Sequence, residues 1–127
     1  MRTVFYLTNC TTSKRVIKEI GIDKSFVMRD IKEERLSPDE IDLLAKMAGS
    51  YQALFSKKAR KYREYSLHLE NLSEDDYRRY LCEDYTFLKR PTIVVDDKIF
   101  VGSHKNTVKE LDQFLNHRKE VKNRVLL

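Results

Sequence analysis

The sequence has few of the residues that interrupt or cross-link a chain. Its 127 residues include only 3 glycines and 2 prolines, too few for several domains joined by flexible linkers. Two cysteines, Cys10 and Cys82, are too few for a disulfide scaffold. No apolar run approaches the roughly 20 residues of a membrane-spanning helix, and the first apolar run follows no signal-peptide pattern. These absences predict one domain, residues 1–127, in the cytoplasm, where thiols stay reduced.

Charged residues, by contrast, are numerous and of both signs. They make up 35% of the chain, and hydrophobic residues make up 41%, a balance typical of a globular protein. The formal net charge of +5 at pH 7 permits anionic ligands. Nucleic-acid binding is only weakly indicated, because the densest basic run holds one aromatic residue and no known binding motif.

Apolar periodicity predicts the order β-α-β, then several helices, then β-β-α. The predicted strands, rich in β-branched and aromatic residues, cover residues 3–7, 25–31, 92–95 and 99–101. The turn Asp96-Asp97 joins the last two strands into a hairpin. This order is typical of an α/β fold, with one mixed sheet and helices on both faces.

The helix boundaries between these strands carry clear signals. Ser37-Pro38-Asp39-Glu40 combines an N-cap, a first-turn proline and a capping box. Ser73 with Asp76 opens another helix in the same way, and Gly21 and Gly49 are typical helix ends.

Cys10 occupies the loop between the first strand and the first helix, which we expect to start near Thr12 or Ser13. Free backbone N–H groups and the positive end of the helix dipole would stabilise a Cys10 thiolate and make it nucleophilic. The same groups can hold an oxyanion, so Thr12, Ser13 and Lys14 are candidate anion-binding residues. A structural cysteine that ends a strand is the equally weighted alternative at this point.

Four segments resemble, in order, the ArsC-type arsenate reductases and their glutaredoxin-like relatives. The first is the loop Tyr6–Lys14, and the third, Phe87–Val95, contains the Arg-Pro pair followed by apolar residues. The other two are Tyr51–Phe55 and Phe100–Gly102. The Spx transcriptional regulators share this outline.

The resemblance implies a thioredoxin-like fold with a four-stranded mixed sheet and a helical insertion at about residues 37–86. It also implies a cis peptide bond before Pro91, beside Cys10. A basic tail would follow at residues 117–127.

The resemblance further implies that Cys10 attacks arsenate and that glutathione, with glutaredoxin or thioredoxin, completes the reduction without a bound cofactor. Arg90 matches one of three arginines that hold the oxyanion in the family. The second arginine position corresponds here to Ser56 or, in some relatives, to Lys58. The third corresponds to Gly102. Lys58 is therefore a candidate anion-binding residue. A surface salt bridge is the alternative role for Arg90.

Ser13 stands where redox sites of the Cys-x-x-Cys type have their second cysteine. A redox cycle at Cys10 would thus need an external thiol. Cys82 is expected to be a core or half-buried thiol rather than a resolving cysteine. The three histidines, which lack ligand spacing, are expected at the surface, and no metal site is predicted: they are His68, His104 and His117.

The run Lys57–Arg63 has five basic residues in seven. Three interpretations stay open: a solvated face, an electropositive rim that steers anions toward Cys10, or a nucleic-acid contact.

Three functions remain as hypotheses. The first is a reductase that acts on a small oxyanion or thiol substrate with glutathione as co-substrate. The second is an Spx-type regulator that binds RNA polymerase. The third is a non-catalytic binding module of the same fold.

Overall fold

The structure is a computed structural model that describes the backbone of residues 1–126 and the side chains of residues 1–116. The prediction for His117 and the side chains of the basic tail lie outside the described residues. The strands are β1 (Arg2–Tyr6), β2 (Val27–Asp30), β3 (Thr92–Val95) and β4 (Lys98–Val101). The α-helices are α1 (Thr11–Ile20), α2 (Pro38–Ala48), α3 (Arg60–Glu64), α4 (Glu74–Glu83) and α5 (Lys105–Leu126). Short 3-10 helices cover Gln52–Leu54, Leu67–Leu69 and Tyr85–Phe87.

The four strands form one mixed sheet in the order β2-β1-β3-β4. β1 runs parallel to β2, with Thr3 opposite Val27, and this parallel pair is connected through α1. β3 runs antiparallel to both β1 and β4. The predicted α/β class, the mixed sheet and the terminal hairpin are confirmed.

The two central strands, β1 and β3, are packed on both faces, and successive side chains of β1 point to opposite faces. Val4 packs on one face against Val16 of α1 and Leu111 of α5. Phe5 packs on the other face against residues of the long helical segment between β2 and β3, including Phe55 and Phe87. The site must therefore lie at an end of the sheet rather than on a face.

The helical segment between β2 and β3 begins with the capping signals that the sequence predicts. The Ser37 Oγ accepts the Glu40 N–H at 3.2 Å, and the Glu40 side chain accepts the Ser37 N–H at 2.9 Å. Ser73 and Asp76 form the same reciprocal pair at the start of α4. Such caps satisfy donors that a helix start would otherwise leave unpaired.

The strands β1 and β3 bring Cys10 and the Arg90-Pro91 pair to the same end of the sheet. The peptide bond between Arg90 and Pro91 is cis, as expected. The Pro91 carbonyl accepts the Gly102 N–H at 2.8 Å, which connects this bond to the residue after β4. Within the described residues, no helix combines the length and apolar character that crossing a bilayer would require.

Candidate functional site

Cys10 is the N-cap residue of α1, in an extended conformation at φ −94° and ψ 107°. The preceding turn is closed by the Cys10 N–H, which donates to the Leu7 carbonyl at 2.9 Å. The Lys14 N–H already bonds the Cys10 carbonyl at 3.2 Å. The helix therefore begins at Thr11, earlier than the predicted start, and its first free N–H groups lie directly beside the thiol.

The loop before Cys10 is tied to the end of β2. The Asp30 carboxylate accepts hydrogen bonds from the Thr8 backbone N–H, at 3.1 Å, and from the Thr8 hydroxyl. The Thr8 hydroxyl is the main cause that lowers the pKa of Asp30, so the carboxylate remains a charged acceptor at neutral pH. This contact fixes the chain two residues before Cys10.

The surroundings of the Cys10 sulfur favour its ionised form. Burial acts to raise the pKa of Cys10, but the Ser13 hydroxyl, the Ser13 backbone N–H and the Arg90 guanidinium outweigh it, so the pKa is lowered. The Cys10 side chain accepts no capping hydrogen bond from α1, and the buried Ser13 hydroxyl bonds no other described residue, so it is available to the sulfur. A thiolate accepts hydrogen bonds much better than a thiol, because charge strengthens them.

Arg90 lies half-buried beside this thiol. Its Nη1 donates to the Thr86 carbonyl at 3.3 Å, while its buried Nε has no partner in the described part of the chain. No described acidic side chain forms an ion pair with Arg90. The alternative role in a surface salt bridge is therefore not supported, and donor capacity is left for an anion.

Cys10 opens into a cleft of about 840 Å³. Of the predicted site residues, Thr12, Lys58 and Arg90 line this cleft together with Cys10. Ser13 is buried behind the thiol rather than in the lining. The structure thus brings four predicted residues to one surface and places Ser13 within reach of the sulfur.

Lys14 is separated from this group. Its side chain is exposed and does not belong to the lining of the cleft. The reason is helical geometry: Ser13, Val16 and Ile20 form the buried face of α1, and the next residue along points about 100° away from that face. Lys14 contributes at most a distant positive charge.

The two places where the family has further arginines also lie on this cleft. Ser56 and Gly102 belong to its lining. Gly102 has φ +87°, a conformation that disfavours a side chain. Among the side chains that the structure describes, Arg90 is the only arginine in the lining, which also holds the lysines Lys57, Lys58 and Lys89.

The basic run divides into parts with different roles. Lys57 and Lys58 line the cleft, whereas Lys61 forms an ion pair with Asp84 that raises the pKa of Lys61. Arg60 and Arg63 are exposed outside the lining. Of this run, only Lys57 and Lys58 fit the interpretation as an electropositive rim of the cleft.

Sequence reasoning missed several polar residues of the cleft. Lys89 directly precedes Arg90, and His104, which is exposed as predicted, reaches the rim from the start of α5. Gln52 and Ser103 also belong to the lining. Their only signal in the sequence is that they adjoin or lie within the segments that resemble the family.

Cys82 is half-buried, as predicted, and lies outside the cleft. Burial is the main cause that raises the pKa of its thiol, so it stays protonated at neutral pH. His68 is exposed as expected, and the described residues contain no group of three side chains that could hold a metal ion.

We predict that Ser13→Ala shifts the pH of half-maximal Cys10 alkylation upward and slows alkylation at pH 7. A hydrogen bond to a charged group contributes about 1.5–3 kcal/mol, so the slowing should be tenfold or more. The measurement is the alkylation rate against pH. Thr11→Ala, which removes an exposed hydroxyl two positions away, is the matched control. Equal pH profiles for the two variants would contradict a role of the Ser13 hydroxyl.

Comparison with known proteins gives a consistent result. The model of the ArsC family matches residues 5–111. The Global transcriptional regulator Spx of Bacillus subtilis (strain 168) is 25% identical over 103 residues, which cover 80% of this chain and 77% of that protein.

Solved structures agree on the fold. A Staphylococcus aureus COL protein aligns with a TM-score of 0.66 and 28% identity, covering 87% of this chain and 97% of that one. Arsenate reductase from Vibrio cholerae aligns with a TM-score of 0.66 and 19% identity, covering 87% and 93%. The predicted thioredoxin-like fold is confirmed.

Proposed function

The chain belongs to the ArsC family, and on that premise we propose that it is a thiol oxidoreductase with Cys10 as its single nucleophile. The observation that carries the proposal is the position of Cys10 at the start of α1, in one cleft with Arg90; there Ser13 and Arg90 lower the pKa of Cys10 in spite of burial. The thiolate is the attacking form in thiol–disulfide exchange. A lowered pKa supplies this form at neutral pH.

The proposed reaction has two exchange steps. The Cys10 thiolate attacks one sulfur of a disulfide R–S–S–R′, the S–S bond breaks, and R′–S⁻ leaves. Cys10 is then joined to R–S, and the thiolate of an external thiol attacks the sulfur of R, which releases the Cys10 thiolate. We propose glutathione as this thiol, with glutaredoxin or thioredoxin as a further reductant. Ser13 offers no second thiol in the loop.

Disulfide exchange fits the cleft better than arsenate reduction does. A planar guanidinium binds an oxyanion through two parallel hydrogen bonds, a geometry that lysine lacks. The lining holds Arg90 and three lysines. Arsenate stays in the proposal as a second substrate of the same thiolate, with weaker binding than a site of three arginines would give.

A coupled assay tests the proposal. The full-length protein is incubated with hydroxyethyl disulfide, glutathione, glutathione reductase and NADPH, and NADPH consumption is followed. We expect turnover above the background that Cys10→Ser gives. In a second arm, arsenate and glutaredoxin replace the disulfide. Turnover in neither arm would refute an oxidoreductase, and faster turnover with arsenate would make the oxyanion the main substrate.

The similarity to Spx favours a second candidate, an Spx-type regulator that binds RNA polymerase. Its test is the capture of purified RNA polymerase by the immobilised protein, wild type against Cys10→Ser. Equal capture by both, without turnover in the coupled assay, would favour the regulator. A Cys10 of ordinary thiol pKa, with neither capture nor turnover, would favour a non-catalytic module.

A further inference from the structure

The cleft around Cys10 has cationic side chains from two separate segments of the chain, and its lining contains no acidic side chain among residues 1–116. Lys57 and Lys58 come from the segment before α3, whereas Lys89 and Arg90 precede β3. The whole chain has 20 acidic residues against 25 basic ones. Acidic residues are thus nearly as common as basic ones in the chain, and their absence from the lining is a property of this site.

These four cations also lack acidic partners. Within the described residues, none of them forms an ion pair, although Lys61 in the same basic run pairs with Asp84. Unpaired cations that converge on a concave surface attract anions and raise their local concentration. The buried Arg90 Nε without a partner adds an unsatisfied donor near the thiol.

The size of the cleft argues against a single small anion as its occupant. A volume of about 840 Å³ lies near the upper end of the roughly 300–1,000 Å³ that ligand clefts span. An oxyanion bound next to Cys10 and Arg90 would fill only a small part of this volume. An extended ligand with several carboxylates would engage both groups of cations.

We propose that the substrate of Cys10 is the disulfide of a cysteine that lies in an acidic peptide segment, with carboxylates on both sides of the sulfur. This inference rests on the proposed function and specifies its substrate. The peptide sulfur is attacked by the Cys10 thiolate, and the original partner of that sulfur leaves as a thiolate. The thiolate of an external thiol attacks the peptide sulfur of this intermediate, the bond between Cys10 and the peptide breaks, and the Cys10 thiolate leaves. A second external thiolate attacks the external sulfur of the resulting mixed disulfide, which frees the peptide thiol and oxidises the two external thiols to their disulfide.

The experiment compares three capped pentapeptides in which cysteine is flanked on each side by two glutamates, two glutamines or two lysines. Each is activated as its mixed disulfide with 2-thiopyridine, and release of the thione by the full-length protein gives the rate constant. We expect the glutamate peptide to react about tenfold or more faster than the glutamine peptide at low salt. The lysine peptide should be slowest, and salt should reduce the differences.

Paired variants locate the effect in the cleft. Lys57→Gln/Lys58→Gln should lower the rate of the glutamate peptide toward that of the glutamine peptide. Arg60→Gln/Arg63→Gln removes the same charge from the same region outside the cleft and should leave the ratio unchanged. Equal losses in both double variants would mean that net charge, and not the cleft, is responsible, and would overturn the inference.

Two further reagents separate the inference from the proposed function. Uncharged 2,2′-dithiodipyridine reports the reactivity of Cys10 without any contribution from ligand charge. If Cys10 fails to react with it, both the proposed function and the acidic-peptide substrate are overturned. A fast reaction with this reagent but equal rates for the three peptides would overturn only the acidic-peptide substrate. A higher rate with the activated mixed disulfide of glutathione than with the glutamate peptide would also overturn it, in favour of a small anionic thiol.

Discussion

Replacing Cys10 with serine is expected to abolish the reaction of the native protein with disulfides and alkylating reagents at neutral pH. Cys82, the other thiol of the chain, has a raised pKa and is half-buried. It should therefore contribute only slow labelling. Mass spectrometry after brief labelling should show one modified cysteine in wild type and none in Cys10→Ser.

The matched control is Cys82→Ser, which should keep the wild-type labelling rate. Rapid labelling of Cys10→Ser at Cys82 would contradict the assignment of the nucleophile. Labelling of both cysteines at similar rates would mean that the loop around Cys10 does not activate its thiol.

The pH dependence of the Cys10 reaction follows from the direction of its pKa shift. The rate is proportional to the thiolate fraction, so it should rise with pH and reach half its plateau below the free-thiol pKa of about 8.5. A half-maximal rate at or above that pH would refute activation by Ser13 and Arg90.

The same shift affects the free energy of unfolding. Because the pKa of Cys10 is lower in the folded state, the unfolded chain binds more protons between the folded and unfolded pKa values. The stabilisation is fully present above the unfolded-state pKa and is lost as the pH falls through the folded-state pKa. Cys10→Ser should remove this dependence.

Local signals in the sequence were sufficient for most of the fold. The caps at Ser37 and Ser73 depend on residues within three positions, so the sequence predicts them directly. Strands rich in β-branched residues, such as Thr92–Val95, are also predicted from local sequence. Their composition favours a buried strand, and all four residues of this one are buried. The cis bond before Pro91 came only from the family resemblance.

The site was predicted less completely, because its charges are arranged by contacts between distant segments. The ion pair between Lys61 and Asp84 spans 23 positions, and nothing near Lys61 in the sequence separates it from Lys58. Lys14 belongs to the segment of Cys10 but faces solvent, whereas His104 lies far along the chain and reaches the cleft. Three-dimensional placement alone distinguishes the two.

The second large effect is expected at Phe87, the central aromatic residue of the helical side of the core. Its side chain is fully buried and stacks on Phe55, with ring centroids 5.0 Å apart and planes at 16°. Tyr80 packs against it at 5.7 Å. Phe87→Ala should lower the free energy of unfolding by about 3–5 kcal/mol, a large part of the roughly 5–15 kcal/mol of a typical domain.

Urea denaturation measures this loss, and Leu69→Ala is the matched control because Leu69 is 77% exposed. That control should change the free energy of unfolding by no more than about 0.5 kcal/mol. A loss below about 1 kcal/mol in Phe87→Ala would show that the core closes around the cavity.

Phe87 also connects the core to the cleft. Its carbonyl accepts the Ser56 N–H at 2.7 Å, and the Lys89 N–H donates to the Leu54 carbonyl at 2.8 Å. This backbone pairing holds the two lysine-bearing segments side by side.

Phe87→Leu, which keeps an apolar side chain, should lose less stability than Phe87→Ala and keep the Cys10 pH profile. If Phe87→Ala remains folded, its preference for the acidic peptide over the glutamine peptide should fall, because the backbone pairing that positions the segment of Lys57 and Lys58 would loosen. An unchanged preference would mean that the cleft is held by β3 and α1 alone.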